Sequence, residues 1–436
     1  MEPDVAAIYL RTRAYLGLLL IVSGIAVAIA LATLAFLGAY LGLHDLVWEE
    51  LPQALGIDDP YSWFAVCVTT LGGLAVGVLL RVLPGHGGPG PAEQHGIGME
   101  QVPASHTVGI VIVSLVSLTV GASLGPEAAL LAVALALGSV LAARVKRAEL
   151  ERVFGMSGVG SLLSGLFGSP LAPTALVLEM APVTGHNLYL FLIPVLVASA
   201  IGLLMFNAIL DGPLLEIALP AYTGVDFAHV LEALAVAAVA AGVGLLLIAL
   251  LRGLRLALAP IAERTVLKAT LGGAGIGLIA LVAGKETLFS GEHELEVLLA
   301  DPGAYSTGAL LLILGGKLLA VALSLETGFR GGRIFPVLFI GATVGFITSD
   351  IFERVPLAVA VACGMAGAAV AIMRIPVFVA LVVSFFASPT TIPLIVLACV
   401  VGYVLTFDKP ELGGPAREEE RTATEEDLAG VATSKP

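Results

Sequence analysis

Two segments that contain glycine and proline interrupt long apolar stretches of the chain. The first is GASLGPEAAL, residues 121–130, and the second is GFRGGRIFP, residues 328–336. Each predicts a helix that begins inside an apolar stretch, where its first N–H groups lack partners and its dipole presents partial positive charge. Such helix N-termini bind anions without a charged side chain. The residues expected to line an anion site are Leu124, Gly125, Gly332, Arg333, Ile334 and Phe335.

Two arginines, Arg330 and Arg333, lie in the second segment, where charge is costly. We expect them to add a positive field at the outer mouth of the site, which would favour anions over cations. In the alternative interpretation they pair with Glu326 or face the water outside the membrane.

Membrane-spanning helices must position these residues. Of the 436 residues, 58% are hydrophobic and 13% are charged, with a mean hydropathy of +1.01, which excludes a water-soluble globular protein. The apolar runs are long and continuous, as in helices and unlike the strands of a β-barrel. The net charge of −13 is concentrated in loops and the tail, so no nucleic-acid partner is expected. The three cysteines are isolated, and we expect no metal or other cofactor.

Four of the apolar segments are longer than one span and contain Gly or Pro breaks. We interpret each as a pair of half-helices or a re-entrant hairpin, because irregular backbone at membrane depth persists only where it is buried or lines a polar cavity. The fold class is therefore an all-α polytopic membrane protein with broken and re-entrant helices. The four segments are 105–143, 153–181, 305–350 and 355–388.

The positions of the basic residues predict the topology. Arg11 and Arg13 place the N-terminus in the cytoplasm by the positive-inside rule. The basic clusters at 144–152 and 252–268 share that side only if the first two broken segments enter and leave on one side. Both termini are then cytoplasmic, in a multi-pass protein of the cell membrane.

The order of spans and broken segments occurs twice, in opposite orientations. Gly158 precedes Pro170 by twelve residues, and Gly364 precedes Pro376 by twelve. Inverted repeats whose broken helices meet at the midplane are typical of transporters and channels. The predicted parts are a cytoplasmic N-terminus (1–13), a first membrane repeat (14–210), an extracytoplasmic loop (211–225), an inverted second repeat (226–407) and an acidic, disordered cytoplasmic tail (408–436).

These residues resemble the CLC family of chloride channels and proton-coupled transporters over 14–407. The segment 328–336 resembles the family's G-x-x-G-G-x-F-x-P, and GASLGP stands where the family has G-R-E-G-P. GHGGP, residues 85–89, takes the place of G-S-G-I-P, and Lys317 matches a basic residue before the second break. The resemblance implies a CLC-like inverted repeat and a homodimer in which each subunit passes a small inorganic anion, most often chloride.

The departures from the family pattern concern the gate. Where the family has a gating glutamate, this chain has Leu124, which cannot titrate. Glu127 lies three residues further on, and we expect it to compensate the dipole of its own helix. The alternative is a displaced gate at Glu127. Without a titratable group at the matched position, we expect passive anion permeation.

Two further positions differ from the family. His86 replaces a serine that binds the central anion, so it either donates a pH-dependent hydrogen bond to the anion or is a solvated loop residue. Met180 stands at the position of a proton-relaying glutamate, and the adjacent Glu179 is expected to be a solvated acid. The family's last helix, with its anion-binding tyrosine, is replaced by the acidic tail.

Two further motifs bear on other function classes. GMSG, residues 155–158, resembles the serine motif of an intramembrane protease, but every histidine that could act as its base lies in a loop or at a helix end. We therefore do not expect an enzyme. GEHELE, residues 291–296, is interpreted as a solvated loop and not as a metal site. A carrier for another anion or small solute, and a non-conducting structural relative, are the open alternatives.

Overall fold

The computed structural model describes residues 13–90, 103–147, 150–180, 186–210, 212, 214, 217–224 and 226–409. Most of the predicted N-terminal segment, and all but the first two residues of the predicted tail, lie outside this range. The first half of the chain contains the helices α1 (Arg13–Asp45), α2 (Leu51–Leu55), α3 (Trp63–Val82), α4 (Ala104–Thr119), α5 (Glu127–Arg144), α6 (Glu151–Phe167), α7 (Leu171–Met180) and α8 (His186–Leu210). A π-helical turn, Leu46–Glu50, joins α1 to α2, and a 3-10 turn, Pro84–Gly87, follows α3.

The second half repeats this series of long and short helices. It comprises α9 (Phe227–Leu258), α10 (Thr265–Ala283), α11 (Glu292–Ala300), α12 (Thr307–Glu326), α13 (Ile334–Ile351), α14 (Leu357–Met373), α15 (Pro376–Phe385) and α16 (Ile392–Thr406). Within the described residues, nine helices are long and apolar enough to cross a membrane. The all-α polytopic fold with an inverted repeat is thus confirmed.

All four predicted breaks are present. The first falls between α4 and α5, the second between α6 and α7, the third between α12 and α13, and the fourth between α14 and α15. Gly121 (φ +91°) and Gly328 (φ +105°) turn the chain out of α4 and α12, in a backbone region that residues with a side chain rarely enter. The prolines that follow them lack the N–H needed to continue a helix from before the break.

The helices α13 and α14 form the centre of the molecule. All residues of α13 from Ile334 to Ile347, and all of α14 from Ala358 to Met373, are buried. The long helices α1 and α9 instead expose large apolar side chains such as Leu20 and Val239, as expected of a surface that faces lipid. The first break is buried from Gly121 to Glu127, and the second is buried from Gly331 onward, while Gly328 and Arg330 are partly exposed.

Glycines allow α3 and α10 to cross with their backbones in contact. A Cβ atom on Gly273 of α10 would overlap the backbone oxygen of Thr69 in α3, and one on Gly73 would overlap that of Ala269. Small residues at such crossings are a common device of membrane helices, because close backbone approach gains dispersion energy.

We expect Gly273→Ala to destabilise the protein by about 2 kcal/mol, because the added methyl group forces two backbones apart. Thermal unfolding of the purified protein in detergent measures the change. Gly242→Ala is the matched control, since a methyl group there would meet no atom within 4 Å. Equal unfolding temperatures for the two variants would contradict the predicted close crossing.

Candidate anion site

The two break segments meet through a pair of backbone hydrogen bonds. The N–H of Gly125 donates to the oxygen of Gly332 at 2.8 Å, and the N–H of Gly332 donates to the oxygen of Gly125 at 2.6 Å. This antiparallel bridge places the first turns of α5 and α13 next to each other. The predicted convergence of the two half-helices is therefore present, and their N-termini face a common point.

The carboxyl group of Glu127 occupies this point. Glu127 is only 1% exposed, and its Oε1 accepts a hydrogen bond of 2.7 Å from the N–H of Ile334, the first residue of α13. A Cβ atom on Gly332 would overlap the carboxyl group, so the missing side chain makes room for it. The cation of Arg333, itself 5% exposed, stabilises the carboxylate. Glu127 lies in the first turn of its own helix α5, where we predicted that it compensates the dipole, and its carboxyl group also accepts from α13.

The second carboxyl oxygen of Glu127 distinguishes this acid from an ordinary helix cap. Its Oε2 is buried and makes no hydrogen bond with the described residues. A buried carboxylate oxygen without a donor is costly, whereas a protonated one is not. The geometry therefore suits a group whose charge changes, or one that moves aside for another anion.

Apolar side chains line the remainder of the site. Leu124 is fully buried, and its Cβ would lie 2.6 Å from a Cβ atom on Gly331. Phe335 is 3% exposed and stacks on Phe167, with ring centroids 5.3 Å apart. The structure thus brings Leu124, Gly125, Gly332, Arg333, Ile334 and Phe335 together around Glu127. The contribution of Phe167 had no sequence signal, because it depends on packing between the repeats.

Arg330 does not lie at an outer mouth. Its guanidinium donates to the backbone oxygens of Gly87 and Gly88, both at 2.9 Å, and thereby holds the turn after α3. Nearby, Glu326 pairs with Arg255 at 2.8 Å, and Arg255 belongs to a cluster that the charge distribution places in the cytoplasm. In the predicted topology the turn after α3 is cytoplasmic, so that topology and an outer position for Arg330 are incompatible. The turn 328–333 approaches the site from the cytoplasmic side of the predicted topology.

The other break segment approaches from the opposite side. The backbone oxygen of Gly121 accepts from Phe289, in the loop after α10, and the indole of Trp48 donates to Thr119 at 2.7 Å. Within the predicted topology, these contacts give the two break segments sides opposite to those predicted from the motifs. Their convergence is unaffected, since both helices begin at the centre of the molecule.

His86 lies in the turn after α3 and is exposed. Its Nδ1 is 2.9 Å from the backbone oxygen of Leu80, so this nitrogen carries the proton and donates. Its own backbone oxygen accepts from Arg330 at 3.4 Å. The hydrogen bonds of His86 thus remain within the turn and its anchor, and they favour the loop interpretation over a direct anion contact.

Glu179 caps another half-helix and is not a solvated acid. Its two oxygens accept hydrogen bonds from the N–H groups of Val377 and Phe378, both at 2.8 Å, in the first turn of α15. Glu127 and Glu179 thus share one arrangement. Each is an acid of the first repeat that reaches the N-terminus of a half-helix in the second.

The equivalent contact in the opposite direction, from the second repeat to the first, is apolar. Phe385 stands nine residues after Pro376, as Glu179 stands nine after Pro170. The Phe385 ring covers Gly168, before the start of α7, where a Cβ atom would overlap it. The two repeats therefore have the same backbone plan but differ in charge at equivalent places.

Lys317 anchors the loop after α10, which lies on the side of the site opposite the turn after α3. It is fully buried, and its Nζ donates to the backbone oxygens of Glu286 (3.2 Å), Leu288 (2.8 Å) and Phe289 (3.0 Å). The same ammonium lies 4.9 Å from the ring centroid of Phe339. The family resemblance marked Lys317, and its contacts identify it as an anchor for the loop.

The acidic stretch that begins α11 is not simply solvated. Glu292 is half-buried, and its Oε2 is fully enclosed without a hydrogen-bond partner. Burial, together with the charges of Glu294 and Glu127, raises the pKa of Glu292 to about 8. No group of three metal-ligating side chains occurs within the described residues.

The fold and the paired half-helices define a membrane protein for ion transport. The sequence model of the family described as Voltage gated chloride channel matches residues 72–406. The chain therefore belongs to the CLC family. "Putative ion-transport protein YfeO" of Escherichia coli O17:K52:H18 is 30% identical over 412 residues, which cover 92% of this chain and 96% of the relative.

Solved structures share the fold at low sequence identity. A CLC-type fluoride/proton antiporter has a TM-score of 0.69 and 18% identity, covering 89% of this chain and 95% of its own. A slow cyanobacterial Cl⁻/H⁺ antiporter has a TM-score of 0.75 and 19% identity, covering 94% of this chain and 99% of its own.

Because the pKa of Glu292 is raised, the free energy of unfolding should fall as the pH rises from about 4.5 to 8. The contribution of Glu292 to this fall is ~2 kcal/mol after allowing for its partial exposure. In this window the unfolded chain releases the Glu292 proton while the folded protein retains it. Glu292→Gln should remove that part of the fall in thermal unfolding temperature. Glu296→Gln, on the exposed face of the same helix, should retain it, and identical pH profiles for the two variants would refute the assignment.

Proposed function

We propose that this CLC-family protein lets chloride, or another small inorganic anion, cross the membrane passively between the first turns of α5 and α13. The observation that carries the proposal is the hydrogen bond from the Ile334 N–H to Glu127. A carboxylate at a helix N-terminus marks a place where negative charge is stabilised. A mobile anion of similar charge can take the same place.

Glu127 acts as a tethered competitor in this mechanism. While ionised, its carboxylate fills the position that the anion needs and repels it. Protonation removes both the charge and most of the attraction to the Ile334 N–H, so the side chain gives way to the anion. Leu124 and Phe335 exclude water from the site but contribute no charge.

The contacts of Glu179 favour passive anion flow over proton-coupled exchange. Exchange requires a proton route from Glu127 to the far side of the membrane. Met180 stands at the family position of the relay and cannot carry a proton, while both oxygens of Glu179 are bound to the first turn of α15. Protons would then control the gate without being transported in a fixed ratio.

A proton/anion exchanger is the second candidate. Glu127 is a buried acid in the anion path, and two solved relatives are antiporters by name. The two candidates share the site and differ only in whether the Glu127 proton returns to the side it came from.

The assembly proposed with this function is a homodimer in the cell membrane, with both termini in the cytoplasm and one anion path in each subunit. The family resemblance supports the dimer. The pairing of Arg255 with Glu326 near the cytoplasmic basic cluster accords with the orientation. The protein is proposed to be a transporter and not an enzyme.

Glu127→Gln should raise chloride flux at neutral pH by about tenfold and flatten its dependence on pH. Glutamine still accepts from the Ile334 N–H, but losing the charge weakens that hydrogen bond by ~1.4 kcal/mol. Chloride efflux from reconstituted liposomes between pH 5 and 8 measures both effects. Glu179→Gln is the matched control, and it should keep the pH response of the native protein.

A pH gradient alone should not drive chloride uphill. Liposomes with equal chloride on both sides and a pH difference, clamped at zero potential, test this expectation. Net chloride movement in a fixed ratio to protons under these conditions would establish exchange instead. Absence of flux for every anion tested, including fluoride and nitrate, would point to the structural alternative.

A further inference from the structure

A second site lies at the membrane surface, away from the anion path. A cavity of 910 Å³ opens between the first turns of α9 and the end of α13. It lies at the opposite end of α9 from Arg255, on the extracytoplasmic side of the proposed topology. Most of its lining is apolar, including Val239 and Ile347, but three charged residues also line it: Glu232, Glu353 and Arg354.

Glu232 lies in the wall of this cavity. It is half-buried in the second turn of α9, and its Oε2 is buried without a hydrogen bond to any described residue. Leaving a buried carboxylate oxygen without a donor costs free energy. A cationic N–H donor bound in the cavity would satisfy this oxygen, which no described residue does.

Arg354 provides the opposite charge at the rim. It is exposed and makes no ion pair with the described residues, and the adjacent Glu353 is exposed as well. The backbone oxygens at the end of α13 add partial negative charge on the side of Glu232, because this is the C-terminus of a helix. A ligand that fits this cavity carries a cationic donor to pair with Glu232 and an anionic group to pair with Arg354. It also carries an apolar part that contacts the apolar lining.

We propose that this cavity binds phosphatidylethanolamine from the surrounding bilayer. The primary ammonium of the head group donates to Glu232, the phosphate pairs with Arg354, and an acyl chain lies along Val239 and Ile347. Phosphatidylcholine has the same charges but no N–H to donate. Phosphatidylglycerol lacks the cation and would bring only negative charge toward Glu232 and Glu353.

The test uses the full-length protein, purified in detergent and stripped of lipid. Native mass spectrometry measures its affinity for phosphatidylethanolamine, for the N-monomethyl and N,N-dimethyl forms, and for phosphatidylcholine, all with the same acyl chains. We expect phosphatidylethanolamine to bind roughly tenfold more tightly than phosphatidylcholine, with the largest loss at the last methylation, which removes the final N–H.

Substitutions of Glu232 and Arg354 test the two proposed contacts separately. Glu232→Gln should reduce the preference for phosphatidylethanolamine to below about twofold, because a neutral amide holds the ammonium weakly. Arg354→Gln should weaken both lipids alike, and Glu263→Gln, an exposed acid outside the cavity, should change neither. Equal binding of both lipids by the native protein, or an unchanged preference in Glu232→Gln, would overturn the proposal whatever the anion flux.

Discussion

The backbone pairing of Gly125 with Gly332 is the constraint on which the site depends. It joins the two repeats at their breaks, and the missing side chains of both glycines leave room for the carboxyl group of Glu127 beside the pair. Once the pair is formed, the first turns of α5 and α13 must face each other inside a protein interior that excludes water. Their unpaired N–H groups then need a negative partner, and the chain places Glu127 there.

The repeats agree in backbone plan and differ in charge. Acids of the first repeat, Glu127 and Glu179, cap half-helices of the second, whereas Phe385 of the second repeat covers the corresponding position of the first with an aromatic ring. Symmetry of fold therefore does not produce symmetry of electrostatics. Carboxylates of the first repeat cap helix N-termini of the second, and an aromatic ring stands at the equivalent place in the opposite direction.

The sequence was sufficient to predict the architecture but not the hydrogen bonds of Glu127 and Glu179. Breaks were predictable because glycine and proline have local backbone effects, and these persist in any context. The partner of Glu127 lies 207 residues away, and no local pattern encodes it. The contacts of Arg330 with Gly87 and Gly88 were not predictable either, because charge alone does not tell which face a break segment approaches. An acid next to the break proline, where the second repeat has Val337, was the one available signal for the role of Glu127.

Lys317 has a consequence for how the protein responds to salt. Three backbone oxygens and the Phe339 ring surround its ammonium as they would a bound potassium or ammonium ion. Because this cation is part of the chain, it cannot dissociate when the solution is diluted or exchanged. The loop after α10 is therefore anchored by a cation that belongs to the chain and not by an ion drawn from the medium.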